Sequence, residues 1–300
     1  MRKIKYISVE QASQNWQISE RSVRNYCAQG RVEGALLEGK TWKIPSTAEK
    51  PDRKPRHSSA EETLLAFLKR EKDAGLKGGI YHKIQIDLTY NSNHIEGSKL
   101  THDQTRYIFE TKTFGVTDKA VKVDDIVETV NHFRCIDLVI EGANTKLTES
   151  FIKQLHFILK SGTTDSQKSW FKVGDYKMFE NEVGGSETTK PAEVSGAIKA
   201  LLKEYNSKSK ITFDDILDFH VRFESIHPFQ DGNGRVGRLI MFKECLKHNI
   251  VPFIITEELK MYYYRGIKNW KAERGFLRDT CFTGQDAMKA TLDYFGIKYE

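Results

Sequence analysis

The sequence predicts a mainly α-helical chain in two unequal parts, a small basic head and a large helical body. Three observations carry this. Beyond residue 60, apolar residues recur at helical spacing, and two of the runs open at a Thr that can cap a helix. The whole net charge of +6 lies in the first fifth: residues 1–57 hold 12 Lys and Arg against 6 Asp and Glu, and the remainder balances at 35 of each sign. Between the two parts, residues 47–60 are polar and carry Pro51, Pro55 and paired serines, the composition of a linker. The organisation expected is a head over residues 1–50, a linker over 51–60 and a body over 61–300.

Composition narrows the function classes. Three hundred residues suffice for one large or two modest domains. No apolar run reaches the ~18 residues of a membrane span. The N-terminus shows charges but neither an apolar core nor a small-residue cleavage site, so no secretory signal is visible and a cytoplasmic location is expected. Cys27, Cys135, Cys245 and Cys281 are scattered, without Cys-x-x-Cys or metal spacing, and read as reduced buried thiols. No internal repeat is present.

In the head, Ser8-Val9-Glu10-Gln11 is a capping box that opens a helix. Trp16 and Ile18 surround a break, and Ser19 caps a second helix, 20–28, that carries Arg21 and Arg24 outward. Gly30 stops it. Leu36 to Pro45 reads as a hairpin turning at Glu38-Gly39, with Lys40 and Lys43 on it. Helix, turn, helix and basic wing resemble a winged helix-turn-helix of the excisionase kind. That resemblance implies DNA as partner, with Arg21 and Arg24 in a groove and Lys40 and Lys43 on phosphate. A protein-docking module of the same shape is the alternative.

In the body, Glu61-Glu62 begins a run with Leu64, Leu65, Phe67 and Leu68. Val123, Ile126, Val127 and Val130 form another, and Phe151, Leu155, Ile158 and Leu159 a third, capped by Thr148. His132 and His156 lie on such faces without partners at metal spacing, so they read as core or surface histidines. Residues 212–226 form a further helix, capped by Thr212, with Phe213, Ile216, Leu217, His220 and Phe223 on one face. Leu239, Ile240, Phe242 and Leu246 start a second amphipathic run. The tail from Met288 to Glu300 packs on the body or frays.

Between these last two helices lies the most informative segment, His227-Pro228-Phe229-Gln230-Asp231-Gly232-Asn233-Gly234-Arg235-Val236-Gly237-Arg238. It ends at a helix N-terminus, where free N–H groups and the helix dipole attract anions. Gly232 and Gly234 permit a tight turn whose amides converge on phosphate oxygens. Asp231 is an oxygen donor of the kind Mg2+ uses beside a polyphosphate. Arg235 and Arg238, three apart, can face one anion. His227, at the helix-to-loop junction, can take a proton near neutral pH.

This run resembles the Fic signature, His-x-Phe-x-Asp/Glu-Gly-Asn-Gly-Arg-x-x-Arg, at every specified position, and the resemblance extends from about residue 80 to about 285. It implies an all-helical Fic domain that transfers AMP from ATP to a hydroxyl side chain of a target protein. His227 would be the base and Asp231 the Mg2+ ligand. Asn233 and the neighbouring amides of Gly232 and Gly234 would form the anion cradle, Arg235 and Arg238 would hold the outer phosphates, and Phe229 would anchor the loop. Ser92-Asn93-His94-Ile95-Glu96-Gly97 resembles the inhibitory motif Ser/Thr-x-x-x-Glu-Gly/Asn of regulated members, on a helix near 87–97. It implies that Glu96 occupies Arg238 within the same chain. Gly174 to Gly185 resembles the family's flap, with Lys177, Met178 and Phe179 over the site. Many relatives have Arg where Lys177 stands. Tyr263 and Tyr264 resemble a pair that borders the nucleobase. Asn269 is out of step with an Asn that follows that pair in relatives.

Two classes of function compete at this stage: an autoinhibited adenylyltransferase, and a DNA-binding regulator whose Fic domain senses nucleotide with little turnover. Within catalysis, Glu96 could instead orient water and remove AMP from a modified target. ATP, Mg2+, a target protein and DNA are the partners implied, and a homodimer is compatible with the sequence.

Overall fold

The computed structural model describes residues 5–28, 30–39, 41–51, 63–115, 120–183 and 185–299. Their contacts divide into two units, Met1–His57 and Ser58–Glu300. All of the predicted linker except Pro51, and Lys40 of the predicted wing, fall outside the described residues.

The first unit contains β1 (Tyr6–Ile7), α1 (Val9–Trp16), α2 (Glu20–Ala28), β2 (Leu36–Glu38) and β3 (Thr41–Pro45). α1 opens at the capping box read from the sequence. Gln11 N–H donates to Ser8 Oγ and Ser8 N–H to Gln11 Oε1, both at 3.1 Å. Gln17 closes α1 in the left-handed region, at φ 53°. Ser19 then accepts the Ser22 N–H at the start of α2. The strands form an antiparallel sheet in the order β1-β3-β2, with Glu38 paired to Thr41. That register puts the turn one residue later than the sequence reading, beginning at Gly39, whose φ of 62° suits glycine. Val9, Ala12, Trp16, Val23, Cys27, Val32 and Ile44 make the core of the unit. The two-residue β1 is too short to leave a period in the sequence.

The second unit is helical apart from one hairpin. In order it contains α3 (Leu64–Asp73), α4 (Ile80–Ile95), α5 (His102–Thr111), α6 (Val123–Gly142), α7 (Glu149–Lys160), β4 (Glu182–Val183), β5 (Ser186–Glu187), α8 (Pro191–Ser207), α9 (Phe213–Ile226), α10 (Asn233–Lys247), α11 (Glu257–Asn269) and α12 (Gly275–Phe295). Thr63, Thr148 and Thr212 cap α3, α7 and α9 through their side chains. The first of these helices opens at Leu64, and Glu61 and Glu62, which begin the run in the sequence, lie outside the described residues. None of the described helices is long and apolar enough to cross a membrane.

α10 is the central element. It is in contact with α3, α4, α6, α7 and α9, and every residue from Arg235 to Leu246 is buried. This corrects the amphipathic reading of 239–246. The charged residues within that run, Lys243 and Glu244, are themselves enclosed. Lys243 Nζ donates to Glu244 Oε1 and to the carbonyls of Ala143 and Thr145 at the end of α6, while Glu244 Oε2 accepts from Tyr205. A helix buried on all sides keeps charge only where it is paired.

Glycine at 266 sets how closely α11 lies on α12. A Cβ there would sit 2.6 Å from Leu277 Cα, a backbone atom that cannot turn aside. Gly266→Ala is expected to destabilise the protein by about 1–3 kcal/mol through overpacking. Urea unfolding would show this, and an unchanged midpoint would contradict the close approach.

Candidate active site

The site is built at the N-terminal end of α10. α9 ends where His227 turns into the left-handed region (φ 50°, ψ 63°) and its N–H closes the helix on the Phe223 carbonyl at 2.9 Å. The loop that follows is held from several sides. Phe229 is fully buried, as its apolar bulk predicts. Asn233 grips it: Oδ1 accepts from Phe229 N–H and Nδ2 donates to Phe229 O, both at 2.8 Å. The Asn233 side chain is therefore committed to the loop, and what it leaves for an anion is its main-chain N–H. Gly232, at φ 85°, makes the turn into α10.

His156, on α7, is neither metal ligand nor idle core. Its ring stacks on Phe229 at 3.9 Å with 4° between planes. Nδ1 accepts from Gly174 N–H at 2.9 Å, so Nε2 carries the proton and donates to the Asp231 carbonyl at 3.1 Å. Burial holds its pKa down at about 3, and the ring remains neutral. His132 is likewise buried, against Thr89 Oγ1 at 2.9 Å.

Arg235, Lys160 and Arg238 each face a carboxylate here. Arg235 pairs with Glu128 on α6 and with Asp231 Oδ2 at 3.2 Å. Lys160, at the end of α7 and almost wholly buried, pairs with Glu128 and with Asp231 Oδ2 at 2.6 Å. Burial alone would raise the Asp231 carboxyl, but Arg235 and Lys160 outweigh it and hold the group at about 2. Neither Lys160 nor Glu128 is singled out by the sequence. They lie 71 and 103 or more positions from Asp231 and Arg235, and no local spacing links them.

Arg238 is held by α4 and its C-cap. Nε donates to Ser92 Oγ and Nη2 to the Ser92 carbonyl, both at 2.9 Å, and Nη2 also meets Glu96 Oε1 at 2.7 Å. Glu96 stands at the C-cap. Gly97 N–H returns to the His94 carbonyl and Ser98 N–H to that of Asn93, with Gly97 at φ 98° in the C′ position of a Schellman turn. The carboxylate also covers the start of α10, since a Cβ on Gly234 would lie 2.3 Å from Glu96 Oε1. Glycine at 234 is what admits it.

Burial, then the charge of Lys177, lowers the His227 imidazole to about 4, so the ring is unprotonated and able to accept a proton at neutral pH. Beneath Arg238 lies Glu224, whose carboxyl is pushed up to about 8 by burial and by Glu96. Two resemblance-based placements change. Tyr263 is core, 1% exposed, with its O–H 2.5 Å from His220 Nε2, and only Tyr264 presents a ring outward. Of the flap residues, Met178 and Phe179 are exposed, but Lys177 is buried and bonded inward. Asn269 donates to Arg265 O on its own helix. Arg21, Arg24 and Lys43 belong to the other unit.

No group of three or more His, Cys, Asp or Glu among the described residues is arranged to hold a metal. Asp231 still suits Mg2+, which is commonly held by one or two carboxylates together with substrate phosphates rather than by a protein cage. Its carboxyl is ionised and its side chain half exposed at the mouth of the site.

A base, an ionised carboxylate, an amide-lined helix end and two arginines are thus gathered at one place, where an anion can be held. Residues 146–245, from α7 to α10, match the model of the Fic/DOC family. Over this stretch the chain is therefore similar to Fic/DOC domains. It is 26% identical over 242 residues to the protein adenylyltransferase Fic of Aedes aegypti, covering 79% of this chain and 45% of that protein. To the protein adenylyltransferase Fic of Drosophila grimshawi it is 26% identical over 252 residues, covering 81% and 48%. The chain thus spans about half the length of these curated relatives. A Fic-domain-containing signaling protein from Bacteroides thetaiotaomicron shares the fold at a TM-score of 0.62 and 23% identity, covering 79% of this chain and 98% of that one.

Lys160 is the test of how the cluster is held. Lys160→Met leaves Glu128 and Asp231 short of a buried cation, and breaking such a pair is expected to cost about 3–5 kcal/mol. The Asp231 carboxyl should also rise from about 2 towards its ordinary range. Because a depressed carboxyl stabilises above its unfolded value and loses that effect as pH falls, the variant's deficit should shrink below about pH 4. Denaturation at pH 7 and pH 3 would show this, and a deficit unchanged between them would contradict it.

Proposed function

We propose that the body is a protein adenylyltransferase restrained by its own Glu96, acting in the cytoplasm. The observation that carries this reading is the Arg238 guanidinium, aimed at the anion site of α10 and bonded to Ser92 and Glu96 instead. In the reaction, a hydroxyl of the target attacks the α-phosphorus of ATP. The bond from that oxygen to phosphorus forms, the bond to the bridging oxygen breaks, and pyrophosphate leaves. His227 takes the hydroxyl proton. The N–H groups of Gly232, Asn233 and Gly234 lie at the dipole-positive end of α10, and Arg235 and Arg238 supply charge for the outer phosphates. Asp231 would hold Mg2+, which neutralises phosphate charge when bound. The hairpin of β4 and β5, with Met178 and Phe179 exposed beside it, offers an edge to an extended target segment.

Competition explains the restraint. One guanidinium cannot serve a carboxylate and a phosphate at full geometry, so an unfavoured triphosphate pose leaves the α-phosphorus out of line. Glu96→Gly should raise labelling of protein from α-labelled ATP. His227→Ala in that background should lower it roughly 10^2-fold or more with nucleotide binding retained. Arg238→Ala, alone or with Glu96→Gly, should show no gain, because it discards the phosphate ligand too. Unchanged labelling by His227→Ala would remove the base assignment. Binding of ATP without any label in all variants would favour a nucleotide sensor, and loss of AMP from a modified target only with Glu96 intact would assign Glu96 to de-modification.

We further propose that the head binds duplex DNA. Its α1-α2 pair exposes Arg21 and Arg24 on α2, and Lys43 lies on β3. Arg24 and Lys43 meet Glu20 at 2.8 Å and Glu38 at 3.8 Å, exposed pairs weak enough for a phosphate to replace. Residues 1–57 should bind duplex DNA with affinity that falls steeply as salt rises. A folded fragment that does not bind at low salt would favour protein docking.

A further inference from the structure

Lys177 stands at the root of the flap with its side chain buried, 4% exposed. Its Nζ donates to Asn181 Oδ1 at 2.7 Å, Thr188 Oγ1 at 2.6 Å and the Ile226 carbonyl at 3.4 Å. Its main-chain N–H donates to the Pro228 carbonyl at 2.9 Å. A single residue thus holds the carbonyls on both sides of His227. Two neighbours extend the grip: Asn181 Nδ2 donates to Phe229 O, and Phe179 N–H to Gln230 Oε1, both at 3.2 Å.

This matters because His227 sits at φ 50°, a region that side chains with a Cβ adopt only when the surroundings impose it. The acceptors of Nζ are all neutral. Among the described residues, no carboxylate lies within ion-pair distance of it. A buried cation satisfied only by neutral dipoles is unfavourable compared with a paired one, so its charge acts outward on the site.

We propose that Lys177 is a positioning residue of the adenylyl transfer, locking the root of the flap to both neighbours of His227 and setting a positive charge beside the imidazole. The charged groups facing His227 are Lys177 from the flap, Glu96 from the end of α4 and Asp231 from the loop. Burial is the first cause of its lowered pKa and Lys177 the second, while Glu96 and Asp231 oppose them. Burial brings Lys177 itself down to about 8, against the opposing charge of Glu180 on the flap, so the charge is present at neutral pH. The ammonium thus adds to burial in disfavouring the protonated imidazole, and it holds the backbone of the base in place.

The proposal rests on the transferase reading, and its test separates the two. In the full-length protein, the His227 imidazole is titrated by NMR, assigned by comparison with His227→Ala, in wild type and in Lys177→Arg, Lys177→Gln and Lys177→Met. kcat and KM for ATP are measured for the same substitutions in the Glu96→Gly background. Lys177→Arg should keep the wild-type midpoint and most of kcat. Lys177→Gln, which keeps a donor but loses the charge, should raise the midpoint by about half a unit or more. Lys177→Met should raise it similarly and lower kcat about tenfold with KM for ATP little changed. If Lys177→Met does not fold, the Arg and Gln proteins carry the comparison. A midpoint in Lys177→Gln equal to wild type, or an Arg protein that titrates like the Gln protein, would overturn the proposal. Absence of any labelled protein would sink the transferase reading, while the titration would still decide the role of Lys177 at His227.

Discussion

The arrangement depends on one buried guanidinium. Arg238 lies inside a helix enclosed on all sides, so it cannot swing to solvent, and its donors must be satisfied where they stand. Ser92 and Glu96 take its Nε and Nη2 donors. That contact fixes the end of α4 over the start of α10 and covers the amides that an anion would use. It also requires glycine at 234, where any Cβ would meet the carboxylate. A phosphate entering this site must replace a charge-assisted bond rather than fill an open cradle.

The same logic runs through the rest of the site. Arg235 and Lys160 are neutralised by Glu128 and Asp231, and the loop between helices is tied by Phe229, Asn233 and His156. Charges are thus in place before substrate arrives, and little reorganisation is left to the moment of reaction. Between the two partners of Arg238, Ser92 is buried, whereas the Glu96 side chain is 30% exposed and ends a helix rather than filling its interior. It is the partner that can leave without emptying the core.

Much of this was legible in the chain itself. Thr212, the apolar face from Phe213 to Phe223 and the run from His227 to Arg238 located α9, the loop and the start of α10, because caps, glycines and three-residue spacing are local signals. The Ser92–Glu96 motif located the partner of Arg238 only through resemblance. What stayed hidden was long-range. Lys160 and Glu128 reach Asp231 and Arg235 from other helices, and His156 reads as an ordinary apolar-face histidine until Phe229 is stacked on it. Lys243 and Glu244 look like a solvated face, since a sequence does not say that two opposite charges will be buried together. The run of three tyrosines does not say which ring faces inward. In the structure, Tyr263 does and Tyr264 does not.

The central claim is that Glu96 and the terminal phosphate of ATP compete for Arg238. Calorimetric affinities for ATP and ADP, taken in wild type, Glu96→Gly and the double variant with Arg238→Ala, test it without requiring turnover. The account predicts that the terminal phosphate adds little affinity in wild type, about tenfold or more in Glu96→Gly, and little again in the double variant. A preference for ATP over ADP that is the same in wild type and Glu96→Gly would contradict it.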